Sequence, residues 1–339
     1  MQPNIFDIST KELSQDAFIT WLIQWADSKN ASYHNLLQRC GVEFVEQLIK
    51  KEIPEISEPI ITVRAGRQWE NIDIWAEVND KYLIIIEDKT YTGQHSGQLA
   101  KYKATAEKWC SEQTPKYCSP ICIYLKTGNE SKQSLKKVME EGFKIYNRQE
   151  FVSFLKKHEL SNDIYNDFKS RLLRIEQVNN EWENKLIKNW SGNDWQGFFQ
   201  FLENKIDLIG WDYVNNPNGG FWNAVINWDY WGIYPTFLQT EEYKLCFKVS
   251  TNPEDDVEMP ENVSRREIRN EISELILNSA EEKGIVEINR PDRFGNGNYM
   301  TVAVVDCENW LGNKDEIINK EKVSENLILY KKFLIDTIY

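Results

Sequence analysis

The chain has 339 residues, 41% of them hydrophobic and 27% charged, and a formal net charge of −13. That length accommodates two domains, or one with a large extension. So acidic a chain repels nucleic acid as a whole, which excludes a general DNA-coating protein and leaves room only for a local basic groove or a cation bridging to phosphate.

No run reaches the roughly 18 apolar residues of a membrane span. The opening MQPNIFDISTKELSQDAF lacks the basic start and apolar core of a secretion signal, so a cytoplasmic location and no membrane partner are expected. Six cysteines form no CxxC pair, and Cys118 and Cys122 lack the further ligands of a zinc site. Reduced cysteines are expected. With three histidines, a His-rich metal site or a Cys-His nucleophile is not.

Residues 7–27 read as an amphipathic helix. Leu13, Ala17, Thr20/Trp21 and Gln24/Trp25 recur near helical spacing, Phe18 and Leu22 widen the apolar face, and Ser9 or Thr10 would cap it. A second helix spans about Asn35 to Lys51, with Phe44, Leu48 and Ile49 inward and Pro54 closing it. Strands are predicted at 59–65, 71–78 and 82–89, then a helix over about 97–111 and a strand over 120–127. A short helix near 131–140, a strand at 143–147 and a helix at 148–158 complete this part. An antiparallel start followed by βαβ crossovers implies an α/β fold, a mixed central sheet flanked by helices.

From about Leu160 to Lys188 the sequence becomes a polar helical segment. Beyond it, seven of the 13 tryptophans lie between Trp182 and Trp231. Strands in 224–250, a charged helix near 262–283, a hairpin-like 285–305 and a final helix near 319–337 read as a smaller α+β region. The expected division is a core at 1–158, a helical connector at 159–190 and an aromatic-rich α+β domain at 191–339 that binds substrate or a partner. Most of its aromatics should be core, since strands carrying alternating Trp and Tyr need something to bury against. Arg265, Arg266 and Arg269 gather at the start of the charged helix.

The chemistry concentrates in residues 69–102. Side chains alternate along strands, so Glu87 and Lys89 share one face of 82–89, opposite Asp88. Asp73 joins them only if the hairpin pairs it with Glu87. That requires paired residue numbers to sum to 160, with Val78 opposite Tyr82 and Asn79-Asp80-Lys81 as a three-residue loop. A two-residue loop would turn Asp73 to the other face. Asn and Asp tolerate the left-handed backbone such a loop needs. In the expected register two carboxylates and an ammonium converge. Carboxylates a few ångströms apart repel unless a hard cation sits between them, and oxygen ligands suit Mg²⁺ or Mn²⁺. Taken alone, such a pattern is more often a charged strand end whose i, i+2 pair contributes almost nothing.

In the following helix, Leu99, Tyr102, Ala106, Trp109 and Cys110 form an apolar stripe, and Gln98, Lys101, Thr105 and Lys108 a polar one. Gln98 falls close to Glu87 and Lys89, where an amide can hold a water or a phosphate oxygen. Arg64 and Arg67 could add a basic rim. His95, in the loop TGQHSG, is a weaker candidate, FGNGN reads as a turn, and no strand-GxxxxGK-helix motif implies NTPase activity.

At NIDIW, IIIEDK and QLAKY the sequence resembles the PD-(D/E)XK nuclease superfamily, in the Asp strand, the ExK strand and the Gln-bearing helix, and the element order over 1–158 is similar to its core. The resemblance implies a restriction-endonuclease-like fold and a Mg²⁺- or Mn²⁺-dependent nuclease acting on nucleic acid, DNA favoured over RNA. It implies Asp73, Glu87 and Lys89 as catalytic residues, with Gln98 beside them. KELSQDAFITWLI is similar to the opening acidic helix of one branch, which adds Glu12 as a metal ligand with Asp73 and Glu87. That branch more often has His-Ser where this chain has Gln15 and Asp16, so Asp16, Glu43 and Glu46 stand as rivals to Glu12. A role in bacterial anti-phage defence follows from the family's habits. The alternative is a catalytically inactive module on the same fold that binds nucleic acid or protein. A homodimer or a regulatory protein partner stays open.

Overall fold

The computed structural model describes residues 3–93, 97–216 and 219–339. Contacts divide the chain into two compact units, Met1–Glu130 with Ser134–Gln177, and Ser131–Gln133 with Val178–Tyr339. No helix among the described residues is long and apolar enough to cross a membrane.

The first unit runs α1 (Ile5–Ile8), α2 (Glu12–Gln24), α3 (Ala31–Lys50), β1 (Val63–Trp69), β2 (Ile72–Val78), β3 (Tyr82–Lys89), α4 (Gln98–Glu112) and β4 (Ile121–Lys126). It continues through α5 (Lys132–Glu140), β5 (Lys144–Asn147), α6 (Arg148–Lys157) and most of α7 (Asp163–Asn180). Its sheet has the order β1-β2-β3-β4-β5, antiparallel across the first three strands and parallel across the last three. This is the expected mixed sheet. β3 and β4 are buried along their whole length, which is why their sequences are nearly continuous apolar runs.

Ile74, Ile84, Ile86, Ile123 and Leu125 pack on one face against Ile19, Leu22, Phe44, Leu48 and Phe151. Tyr165, Phe168 and Leu172 of α7 enter the same core, so this unit extends to Gln177. Leu83, Ile85, Cys122 and Tyr124 pack on the other face against Leu99, Tyr102 and Ala106 of α4.

Three local expectations are corrected. The inward face of α2 is Phe18, Ile19, Leu22 and Ile23, while Leu13 and Ala17 are exposed. The helix is rotated because Gln15 and Asp16 also point inward, where β3 gives them polar partners. Neither Ser9 nor Thr10 caps α2. Its N-cap is Lys11, without a side-chain bond, and Ser9 ends the separate helix α1. β1 starts at Val63 and not at Pro59, because side chains take the backbone groups before it. Asn79 Oδ1 accepts from Ile61 and Thr62 N–H, and Asp27 Oδ2 accepts from Val63 N–H. In α3, non-helical His34 accepts from Leu37 N–H through Nδ1 and restarts the helix near the expected Asn35.

The second unit contains α8 (Gly192–Lys205), β6 (Gly210–Val214), β7 (Phe221–Val225), β8 (Asp229–Trp231), β9 (Tyr234–Glu241) and β10 (Lys244–Ser250). It ends with α9 (Arg265–Glu282), β11 (Ile288–Asn289), β12 (Tyr299–Val305), α10 (Cys307–Trp310) and α11 (Lys320–Ile338). An antiparallel sheet of order β11-β12-β10-β9-β7-β6, with β8 beside β9, packs Leu238, Leu245, Phe247 and Val302 against α8, α9 and α11. Trp182, Trp190, Trp195, Trp211 and Trp310 are buried in this core, so these aromatics fill volume as expected. α8 and β6 add to the expected elements. Ser191 and Asp194 form a reciprocal capping box, and that spacing is the signal for α8.

Gly41 sets how closely α3 approaches α2, since a Cβ there would meet the Leu22 carbonyl oxygen and Ala26 N at 2.7 Å. Both are backbone atoms and cannot swing aside. Gly41→Ala is expected to lower stability by about 1–3 kcal/mol in denaturant unfolding. An unchanged midpoint would contradict the close approach.

Candidate active site

β2 and β3 pair Ile74 with Ile86, Ala76 with Ile84 and Val78 with Tyr82, so paired numbers sum to 160 as the three-residue loop demands. Asn79 (φ 54°) and Asp80 (φ 48°) take left-handed backbone, and Lys81 N–H closes the turn on the Val78 carbonyl at 3.1 Å. Extended by one pair, this register sets Asp73 opposite Glu87. The regular pairing stops just short of them, and Asp88 N–H instead donates to Asp73 Oδ2 at 3.1 Å. On the other side, Gln68 has φ 58° and drops out of the β1–β2 register where it would face Asp73. The sheet loosens on both sides of one aspartate.

Lys89 Nζ forms an ion pair with Glu87 Oε1 and lies 3.7 Å from Asp73 Oδ2. The Glu87 side chain is 0% exposed, Lys89 10% and Asp73 21%. Gly97, at φ 75°, precedes α4 and lets Gln98 turn in at once. Gln98 Nε2 donates to Glu87 Oε1 at 3.0 Å and to the Tyr102 hydroxyl at 2.8 Å. Burial first, and then the Asp73 charge, push Glu87 up to about 8 against the opposing pull of Lys89. Two buried oxygens here, Glu87 Oε2 and Gln98 Oε1, have no hydrogen-bond partner among the described residues.

Asp73, Glu87, Lys89 and Gln98 are therefore brought together. Glu12 arrives at the same strand end, but its Oε1 accepts from Thr90 N–H at 2.8 Å and from Thr92 Oγ1 at 3.2 Å. It fastens the chain leaving β3. No group of three His, Cys, Asp or Glu among the described residues is arranged to hold a metal ion.

Of the rivals, Asp16 meets Asp88 on the opposite face of β3, where Gln15 Nε2 donates to Asp88 Oδ1 at 2.6 Å and to Thr127 Oγ1 at 3.0 Å. Glu43 pairs with Lys157 and His158, and Glu46 with Lys50. Arg64 pairs with Glu77 and Asp80, while Arg67 is exposed and donates to the Leu13 carbonyl, which leaves its charge unpaired among the described residues. Lys101 and Lys108 are exposed. His95 lies outside the described residues.

The sequence reading passes over one polar group on the site face. Lys126 pairs with Lys89 in the parallel β3–β4 register. It is 3% exposed, donates to the Thr92 carbonyl at 2.6 Å and lies 3.2 Å from Glu130, which also accepts from the Tyr124 hydroxyl. The signal was the alternation Tyr124, Lys126 at the end of an apolar strand.

The residues present fit the implied cation as a two-carboxylate site. A buried carboxylate oxygen without a partner, beside a second carboxylate that repels it, is the donor chemistry a hard divalent ion satisfies.

The family model of the PD-(D/E)XK nuclease superfamily matches residues 3–206, more than half of the chain, and the chain belongs to that superfamily. Its members are generally phosphodiester-cleaving nucleases, which makes nucleic acid the substrate class. No curated protein and no solved structure matches the chain significantly.

The acid pair on the far face of β3 gives a pH signature. Burial, against the hydrogen bond from Asp88, raises Asp16 to about 6, and burial with the Asp16 charge raises Asp88 as well. The folded chain then binds more protons than the unfolded one, so this pair removes stability as pH rises from the ordinary carboxylate range of about 4. Asp16→Asn should flatten that slope and raise the melting midpoint above the wild-type value at neutral pH in chelator. A variant that melts lower across the whole range would contradict a repulsive pair.

Proposed function

We propose that this chain is a divalent-cation-dependent nuclease that hydrolyses phosphodiester bonds in DNA, with RNA the less favoured substrate, in defence against foreign nucleic acid. The defence role rests on the family's habits alone. Asp73 and Glu87 would hold Mg²⁺ or Mn²⁺. Such an ion, when bound, lowers the pKa of an attacking water and neutralises charge on the pentavalent phosphorus. The observation that carries the reading is the buried Glu87 Oε2 beside Asp73, unpartnered among the described residues, with Lys89 Nζ reaching both carboxylates.

The chain's own groups have separable tasks. Gln98 Nε2 fixes the Glu87 carboxylate by bonding Oε1, leaving Oε2 for a ligand. Gln98 Oε1 is a free acceptor able to orient a water hydrogen. The Asp88 N–H holds Asp73 Oδ2 at the loosened edge of β2. The Lys89 ammonium, sequestered from bulk water, is placed to position the attacking water and stabilise charge developing on phosphate oxygens. Lys89 contacting both acids is also what an inert, self-neutralised cluster would show, and activity separates the two readings.

Glu87→Gln is expected to abolish cleavage of single-stranded and duplex DNA while the protein remains folded. Lys89→Met should slow turnover by more than about tenfold, or about 1.4 kcal/mol in the barrier, with ion affinity unchanged or improved, because an ammonium beside the site repels a cation. Lys89→Arg keeps the charge but has a planar fork of different reach, so it should restore the rate only in part if Lys89 positions the attacking water, and fully if it serves as charge alone. Full activity in Lys89→Met would remove this lysine from the mechanism, and full activity in Glu87→Gln would overturn the site assignment.

A further inference from the structure

Several cations at and near the candidate site are already paired with acids. Lys89 is paired with Glu87, Lys126 with Glu130 and Arg64 with Glu77 and Asp80, within a chain of net charge −13. A nuclease built this way needs positive charge elsewhere to retain its substrate.

The C-terminal unit supplies it in one place. Arg265, Arg266 and Arg269 occupy the first turns of α9, and Arg290 and Arg293 lie between β11 and β12. Phe294 joins the two groups, its ring centroid lying 4.4 Å from the Arg269 guanidinium and 4.8 Å from that of Arg290. Arg269 is anchored, donating through Nη1 to the Gly295 carbonyl and through Nε and Nη2 to Asn270 Oδ1. Arg266, Arg290 and Arg293 are exposed. None of the five forms an ion pair with a carboxylate among the described residues. Glu267, the acid in the same turn, is committed to Ser264 in the capping box.

Repulsion is visible in Arg269, whose pKa is lowered by burial and then by the charges of Arg266 and Arg290. The fold offsets part of that repulsion with cation–π contacts, which also hold the guanidinium planes in place. Planar forks fixed in this way match phosphate oxygens in paired hydrogen bonds.

We propose that the Arg266–Arg290–Arg293 surface around Phe294 binds the phosphate backbone of the nucleic acid that the chain cleaves. The proposal rests on the nuclease reading above and assigns substrate retention to the second unit. An acidic protein segment is the competing occupant. A nucleic-acid strand is favoured because a nuclease of net charge −13 needs added positive charge to retain a polyanion, and Lys89, Lys126 and Arg64 of its first unit are already paired with acids.

The test is fluorescence-anisotropy binding of labelled single-stranded and duplex oligonucleotides, as DNA and as RNA, to the full chain in chelator, so that no turnover occurs. It compares wild type with Arg266→Gln/Arg290→Gln/Arg293→Gln, which leaves Arg269 and the Phe294 stack intact, and with the corresponding triple lysine variant. The glutamine variant should bind at least about tenfold more weakly at low salt. Its plot of log affinity against log salt should be shallower by about 2–3, from three lost phosphate contacts. The lysine variant should keep most of that slope, which separates lost charge from lost fold. Unchanged affinity and slope in the glutamine variant would overturn the proposal, as would polyglutamate binding as tightly as the oligonucleotides. Cleavage without arginine dependence removes this proposal alone. Arginine-dependent binding without cleavage by any preparation removes the catalytic reading and leaves only the phosphate-binding role of the arginine surface.

Discussion

The turn at Asn79-Asp80-Lys81 holds two non-glycine residues in left-handed backbone, and the placement of the acidic groups depends on it. Strand side chains alternate with period two, so one residue fewer in the turn would carry Asp73 to the opposite face of the sheet. Asn79 is held from outside the hairpin as well, through Ile61 N–H, Thr62 N–H and the Pro59 carbonyl. The same side chain therefore shapes the turn and ties the approach to β1, which makes the register a property of three segments together.

That register concentrates acids at the end of β3 on both faces. Glu87 meets Asp73 on one side, and Asp88 meets Asp16 on the other. Glu87, Asp16 and Asp88 are more basic than ordinary carboxylates because burial removes water and nearby carboxylates add repulsion. Lys89 on one face and Gln15 on the other relieve this only partly. Among the described residues, buried oxygens remain unpartnered in both pairs, on Glu87, Asp16 and Asp88. A fold selected for stability alone would have no use for such a strand end. The pair carrying Lys89 and Gln98 is the one whose remaining valence a cation and a phosphate can fill.

The hairpin register could be read in the sequence because both strands alternate cleanly and the loop length decides between two faces. Gln98 could be read because the helix after β3 begins within a few residues of the ExK strand. The contact of Asp16 with Asp88 could not, because no local pattern reports which turn of α2 lies over which residue of β3. The hydrogen-bond partners of Glu12 eluded the spacing for a related reason. Its carboxylate is taken by Thr90 and Thr92, and that depends on where the chain goes after the strand. The arginine cluster was legible by half. Arg265, Arg266 and Arg269 are neighbours in sequence, whereas Arg290 reaches them only because Phe294 lies between.

The central claim is that Asp73 and Glu87 form one acidic pair, and that a divalent cation bound there displaces the proton of Glu87. Calorimetric titration of Mn²⁺ into the full chain, repeated in buffers of different ionisation enthalpy, counts the protons released for each ion bound. With Glu87 raised to about 8, ion uptake near neutral pH should release protons. The release should fade about one pH unit above that value, and Glu87→Gln should bind the ion far more weakly. Proton-free uptake near neutral pH, or undiminished uptake by Glu87→Gln, would contradict the account.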